Sequence, residues 1–395
     1  MIQLAVKDEC TGCGACAFRC PKRCITMREN EIGIVLPVLD VENCVECHQC
    51  ENVCPILNPL EMHEPLKAYA SWSTNEEERR TSASGGVAAE MYRFALKNGY
   101  NVVGASQNAD FSVTHKIIGS ECDLLPLKNS KYVFSDAYDV YPKIRELLKN
   151  GQKILFIGLP CQVASFRRLF KDDDQLLLAE VVCHGTTPLS YLKQHIADVE
   201  KNQGTKARKM SFREPSFDTH TYYLSMFDEN DKLFYAKRTK EGDLYQYGYH
   251  RTISYRENCY HCSFAKRQRV SDITLSDYKG LGKMAPCQYG VHKVSSVLVN
   301  TDKGSDFFEK LVSSGQLFTE ERPVLEPING DPQLRHPSLK KKGRFEFERS
   351  IVKKNGDFVA AIKPIAEKGL KEEYKNAHPS FFKRVIKKLK SLVKS

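Results

Sequence analysis

Beyond residue 66 the apolar positions fall into two alternating periods. In SASGGVAAEMYRFALKNG, Val87, Met91, Phe94 and Ala95 recur at helical spacing, with Ser and Gly ahead of them and Gly99 behind. A helix is predicted there, with NVVGAS after it as a strand. KILFIG (153–158) has the length and character of a strand, QVASFRRLF of a helix, QLLLAEVVC of a strand and TPLSYLKQHIADVEKN of a helix. Strands alternating with helices imply βαβ units, so the fold class expected is α/β (α+β), with a mixed or largely parallel sheet in the body. Before it, NPLEMHEPLKAYASW, with Pro59 and Pro65, reads as a linker from a first domain of different composition.

That first domain is defined by its cysteines. CTGCGACAFRCP carries Cys10, Cys13, Cys16 and Cys20 followed by Pro21, and CVECHQCENVCP repeats the spacing with Cys44, Cys47, Cys50, Cys54 and Pro55. Over residues 1–58 the run C-x2-C-x2-C-x3-C-P resembles the bacterial ferredoxins, in which the fourth cysteine of each copy serves the other cluster. The resemblance implies one 4Fe-4S cluster on Cys10, Cys13, Cys16 and Cys54 and a second on Cys44, Cys47, Cys50 and Cys20. Gly12 and Gly14 let the backbone wrap close. A zinc site needs four ligands in total, usually as two pairs, and fits two sets of four less well. Cys24, just outside the motif, reads as an ordinary buried thiol. A two-cluster ferredoxin carries single electrons, so the body must hold a donor or an acceptor.

The body supplies four more thiols. Cys161 in GLPCQ and Cys183 in VVCHG are expected at the ends of successive strands, where ligands bind in such sheets, and Cys259 and Cys262 form a C-x2-C pair. Four thiolates suit zinc or a third 4Fe-4S cluster, and the ferredoxin domain favours the cluster because electrons need a next stop. Cys122 and Cys287 have no partner at ligand spacing and read as structural. His184, beside Cys183, reads as a hydrogen-bonded loop residue, and the catalytic groups stay unassigned.

The segments TSASGGVAAEMYRFAL, KNSKYVFSDAY, FIGLPCQVASFRRLF, VVCHGTTPLSYL and CYHCSFAKRQRVSDITLSDYKG together resemble the family of coenzyme F-420 hydrogenase/dehydrogenase beta subunits. With the ferredoxin domain ahead of them they look like its bacterial version associated with surface-polysaccharide gene clusters. The resemblance implies FAD beside a 4Fe-4S cluster, with electrons moving between clusters and a flavin that reduces or oxidises an organic substrate. It implies flavin contacts at Ser82, Ser84, Gly85 and Gly86, whose helix N-terminus suits a pyrophosphate, and at Lys131 and Tyr132, with the lysine near the flavin N1/O2 edge. The same Ser/Gly turn also reads as a plain helix cap. Where relatives commonly have Gly-Asp-Tyr/Phe-Trp-Gly, this chain has SDYKG, with Ser276 and Lys279 as the departures. These departures fall on the substrate side, so F-420, a nicotinamide and a ferredoxin all stay open as the redox partner. An electron relay subunit with no substrate of its own is the rival reading.

Charge adds one feature. The net charge is +10, and residues 336–395 hold 17 Lys and Arg against 6 Asp and Glu, which leaves the rest near neutral. A near-neutral body argues against a nucleic-acid partner. In PSFFKRVIKKLKSLVKS (379–395) the apolar residues fall on one helical stripe with basic residues off it, a pattern that predicts an amphipathic helix contacting an anionic membrane surface. With no export signal and fifteen cysteines, the expected setting is cytoplasmic, peripheral to the membrane's inner face. The expected partners are a redox protein such as a ferredoxin or reductase and a small-molecule substrate. The expected domains are 1–58, 66–300, a C-terminal extension 301–378, and the tail.

Overall fold

The computed structural model describes residues 2–171 and 173–378, so the amphipathic tail lies outside the described residues. In the cysteine-rich segment, β1 (Ile25–Glu29) pairs antiparallel with β2 (Val35–Leu39), and helices α1 (Ala15–Arg19) and α2 (Gln49–Asn52) adjoin. Gly12 (φ +70°) and Gly14 (φ +75°) hold left-handed backbone just before α1. A Cβ on Gly12 would lie 2.6 Å from Arg256 Nη2, and one on Gly14 would lie 2.6 Å from Tyr138 Cβ. The clearance expected around a cluster is therefore used, at these two glycines, by side chains of the body.

The body strands are, in chain order, β3 (Lys67–Ser73), β4 (Tyr100–Gln107), β5 (Val113–Ile118), β6 (Lys153–Gly158), β7 (Leu176–Val181), β8 (Lys209–Ser211), β9 (Leu224–Phe227), β10 (Leu233–Lys237), β11 (Ile273–Asp277), β12 (Ser295–Val299) and β13 (Leu317–Arg322). β8 to β10 form a small antiparallel sheet, and the other eight form one sheet in the order β13-β3-β12-β11-β7-β6-β4-β5. β4, β6, β7 and β11 are parallel neighbours, and β5, β12, β3 and β13 join antiparallel at the two sides. The sheet is mixed, with the βαβ units in its middle.

The expected helices are present as α3 (Val87–Lys97), α4 (Pro160–Phe170) and α5 (Leu189–Gln203). After the exposed Lys153, ILFIG is apolar without a break because both faces of β6 are covered. Ile154 and Phe156 pack with Tyr141 and Phe166, while Leu155 and Ile157 pack with Met91 and Phe308.

Three local expectations are corrected. The linker ends at Leu66, because KAYASW belongs to β3, which is paired on both sides, by β12 and β13. Cys161 does not end a strand: β6 stops at Gly158, and Pro160, whose fixed φ suits a first helical turn, opens α4 with Cys161 next to it. Cys183 lies two residues past β7.

The cysteine-rich segment packs against the body. Tyr141 Oη donates to the Cys13 carbonyl (2.8 Å), and Phe18 meets the Tyr141 ring at 5.3 Å. Arg168 Nε donates to the Asn58 carbonyl at 2.9 Å. Among the described residues no helix is long and apolar enough to cross a membrane.

Candidate functional site

The N-terminal thiols gather in two hollows. Cys10, Cys13, Cys16 and Cys54 line one of about 20 Å³, and Cys20, Cys44, Cys47 and Cys50 line another of about 10 Å³. Each motif thus contributes three thiols to its own hollow and sends its fourth to the other. Left-handed backbone at Glu46 (φ 51°) and His48 (φ 56°) shapes the second loop as Gly12 and Gly14 shape the first. Cys24 is buried, as expected, but it is not remote from this chemistry. Its Sγ is 3.3 Å from Cys20 Sγ, and it lines the second hollow.

The body set also converges. Cys161 on α4, Cys183 after β7, and Cys259 and Cys262 line a third hollow of about 40 Å³. A buried ion pair fixes the loop that carries the last two: Arg269 Nε donates to Glu180 at 2.5 Å, and its Nη1 donates to the Phe264 carbonyl at 3.2 Å. Beside it, Arg167 Nη2 meets Asp272 Oδ1 at 2.8 Å, and Asp272 Oδ2 accepts from Leu178 N–H on β7 at 2.8 Å. Thr186 N–H points to Cys259 Sγ at 3.4 Å.

Burial pushes the Cys161 and Cys183 thiols up, and their cysteine neighbours push them further. Cys262 is raised to about 11, by burial first and Cys259 second. Thiols raised in this way are poor free thiolates, and a cationic iron–sulfide core removes that penalty. Among the described residues no three His, Cys, Asp or Glu side chains close around one metal-ion position. Zinc, with sulfurs about 2.3 Å from a single ion, asks for that closure, whereas a multi-atom core needs sulfurs ringed around a hollow. The donor sets fit 4Fe-4S clusters. Cys122 is exposed, 3.0 Å from Ser120 Oγ, and Cys287 donates to the Tyr289 carbonyl at 3.1 Å; neither joins a set.

A cavity of about 600 Å³ lies on the far side of the body hollow, within the usual range for a cofactor pocket. Ser82, Ser84, Gly86, Lys131 and Tyr132 line it. Gly85 does not: it packs beneath the wall, its N–H donating to Ser295 Oγ at 3.0 Å, and an added Cβ would lie 2.6 Å from the Ser71 carbonyl. The two serine hydroxyls are engaged by the protein, Ser82 with Glu78 (2.6 Å) and Ser84 with the Val294 carbonyl (3.1 Å), so they shape the turn. Gly86 (φ +87°) then starts α3, whose first residues face the cavity. Lys131 Nζ donates to the Lys128 carbonyl at 2.7 Å, and burial lowers its pKa to about 7. The Tyr132 ring stacks on Tyr249 at 4.6 Å.

Sequence reasoning missed other walls. Arg213 is 3% exposed, pairs loosely with Asp277 (3.4 Å), and keeps Nη2 without a partner; His250 Nε2, His115 Nε2 and Asn129 Oδ1 are likewise unpartnered. All four residues line the cavity, and such buried polar atoms ask for a polar ligand. A lone Arg in SFREPS carries no periodic or motif signal. Lys279, the departure in SDYKG, lines the cavity 3.1 Å from the buried Asp331 carboxylate and 3.2 Å from His184 Nε2, so His184 is hydrogen bonded as expected.

The four spaces form a series. Cys50 lines both N-terminal hollows, Cys13 lines the first of them and the body hollow, and Cys183 lines the body hollow and the cavity.

Residues 151–323 match the family described as the C terminus of the coenzyme F420 hydrogenase/dehydrogenase beta subunit, and residues 9–57 match the 4Fe-4S dicluster domain. The chain is 21% identical over 362 residues to the F subunit of F(420)H(2) dehydrogenase from Methanosarcina mazei, covering 88% of this chain and 93% of that protein. It is 27% identical over 167 residues to the coenzyme F420-dependent sulfite reductase of Methanocaldococcus jannaschii, covering 40% of this chain and 25% of that one. Among solved structures, a chain of the xenon-derivatised F420-reducing NiFe hydrogenase complex from Methanosarcina barkeri aligns with TM-score 0.42 and 16% identity, covering 78% of this chain and 93% of that one.

Proposed function

Because residues 151–323 belong to the family of coenzyme F420 hydrogenase/dehydrogenase beta subunits and residues 9–57 are a 4Fe-4S dicluster domain, we propose that this chain is an iron–sulfur flavoprotein oxidoreductase. It passes electrons between a redox protein at its N-terminal domain and an organic substrate at the cavity. The observation that carries this reading is the series of three cysteine-lined hollows and one large cavity, each sharing a cysteine with the next.

In this reading twelve cysteines hold three 4Fe-4S clusters, and the cavity holds FAD. When bound, the clusters supply one-electron transfer and the flavin couples single electrons to hydride chemistry. The chain's own residues do the rest. The first turn of α3 and the guanidinium of Arg213 offer donors and positive charge to a pyrophosphate. Lys131, buried and readily protonated next to an anion, favours a reduced, negatively charged ring edge. Cys183 to Thr186 line both the cavity and the body hollow and so form the wall between them.

Anaerobic purification with iron, acid-labile sulfide and extracted-flavin analysis tests the reading. About twelve irons and one FAD per chain are expected on this stoichiometry. Iron-replete protein without flavin would favour an electron relay that works inside a larger complex, a role in keeping with the naming of the Methanosarcina mazei relative as one subunit of a dehydrogenase.

A further inference from the structure

Arg256 is among the largest fully buried side chains, 2% exposed. Its Nη2 donates to the carbonyls of Val35 (3.1 Å) and Cys10 (3.4 Å), its guanidinium lies 4.3 Å over the Phe134 ring, and its Nε has no partner. The other deeply buried arginines have carboxylates: Arg269 has Glu180 (2.5 Å), Arg167 has Asp272 (2.8 Å), and Arg322 has Glu326 (2.9 Å). Among the described residues Arg256 has none. The groups that act on it electrostatically are thiols, those of Cys259, Cys10, Cys161 and Cys13. Two of these belong to the first N-terminal set and two to the body set, so the guanidinium sits between the two hollows.

A guanidinium does not deprotonate in a protein, and a buried cation without a counter-charge is strongly unfavourable. The negative charge that offsets it here has to come from cysteine-bound iron–sulfur sites. We infer that Arg256 is a positioning residue whose fixed charge is balanced jointly by the sites on the Cys10 set and the Cys161 set, and that it raises the reduction potentials of both. Adding an electron makes such a site more negative, and a cation held close in low dielectric favours the reduced form. Gly12 is part of the device, because only a residue without Cβ leaves the guanidinium its place, 2.6 Å from where that Cβ would stand. The inference rests on the reading of these cysteines as 4Fe-4S ligands given above.

The test is a dye-mediated redox titration, followed by electron paramagnetic resonance, of the full chain and of Arg256→Gln and Arg256→Lys, each purified anaerobically. In Arg256→Gln the two flanking sites are expected to shift to lower potential while the site on Cys20, Cys44, Cys47 and Cys50 stays put; Arg256→Lys should stay closer to the native values. Iron-replete Arg256→Gln protein with no shift, or with all three sites shifted alike, overturns the inference, as does a lysine variant that falls as far as the glutamine one. If Arg256→Gln loses iron, Gly12→Ala reads the same quantity by displacing the guanidinium. A lower potential for the first N-terminal site is then expected, and an unchanged one overturns the claim. Native iron and sulfide are measured first: fewer than three clusters overturns the underlying reading and this inference with it, whereas three clusters with unmoved potentials overturn this inference alone.

Discussion

Cys10, Cys13 and Cys16 reach one hollow on seven consecutive residues, and only Cys54 comes from the other motif; Cys161, Cys183, Cys259 and Cys262 come from a helix, a strand exit and a loop. The first geometry is written locally, by left-handed Gly12 and Gly14 between the thiols, as Glu46 and His48 write its counterpart in the second motif. The body geometry is tertiary. It exists only while the sheet holds β7 beside β11 and while the Arg269–Glu180 and Arg167–Asp272 pairs tie the loop between Cys262 and β11 to β7 and α4. The two kinds of thiol set should therefore differ in sensitivity: the local sets answer to changes within their loops, and the body set answers to changes in the buried charges, Arg269 among them, that hold its loop in place.

The largest effect that separates the two is expected from Arg269→Ala. It leaves the Glu180 carboxylate buried without its cation and should destabilise the body by about 3–5 kcal/mol. Urea unfolding and iron content would then show the body irons lost and the N-terminal irons kept. Equal loss from all sites would erase the distinction.

Next in size is Lys131→Gln, which removes a charged donor from the cavity. Flavin affinity should fall by about 1.5–3 kcal/mol, roughly 10- to 100-fold, with iron unchanged, as read by equilibrium dialysis of FAD. Loss of iron instead would make Lys131 part of the body hollow's support.

A further difference is a pH dependence carried by the body. Burial lowers both His115 and His250 to about 4, with the Asp136 carbonyl partly opposing the shift at His115 and Arg213 adding to it at His250. Their unfolded values lie near 6.5, so the unfolded chain takes up protons first on acidification. The histidines' contribution to stability is full above about 6.5 and is lost as pH falls toward about 4, while Asp136, raised to about 6 by burial, works in the opposite direction. Denaturant midpoints at pH 7 and 5 should differ, and His115→Gln should flatten the difference. An unchanged slope in that variant would remove His115 from the account.

What the sequence makes legible follows the same division. The doubled C-x2-C-x2-C-x3-C-P run specifies its own loops, and the apolar periods of α3, β6, α4, β7 and α5 are local, so both can be read without the fold. β3 is masked by Pro59 and Pro65 just ahead of it, which make a doubly paired strand look like the end of a linker. Pro160 reads as a loop residue, although proline is equally suited to a first helical turn, and this displaces Cys161. Gly85 groups in sequence with its neighbours on the cavity wall, but it is held under that wall by contact with β3 and Ser295. Arg213 and Arg256 carry no spacing signal. Their roles depend on which groups the fold leaves unpaired around them, and no linear pattern records that.

The central claim is that the four body cysteines hold a third cluster between the ferredoxin domain and the cavity. Iron and acid-labile sulfide in anaerobically purified native protein and in Cys161→Ala test it most directly. The account predicts about twelve irons in the native chain and about eight in the variant, with the N-terminal cluster signals intact. A native chain with about eight irons, or with a zinc ion held by the body cysteines, would contradict it.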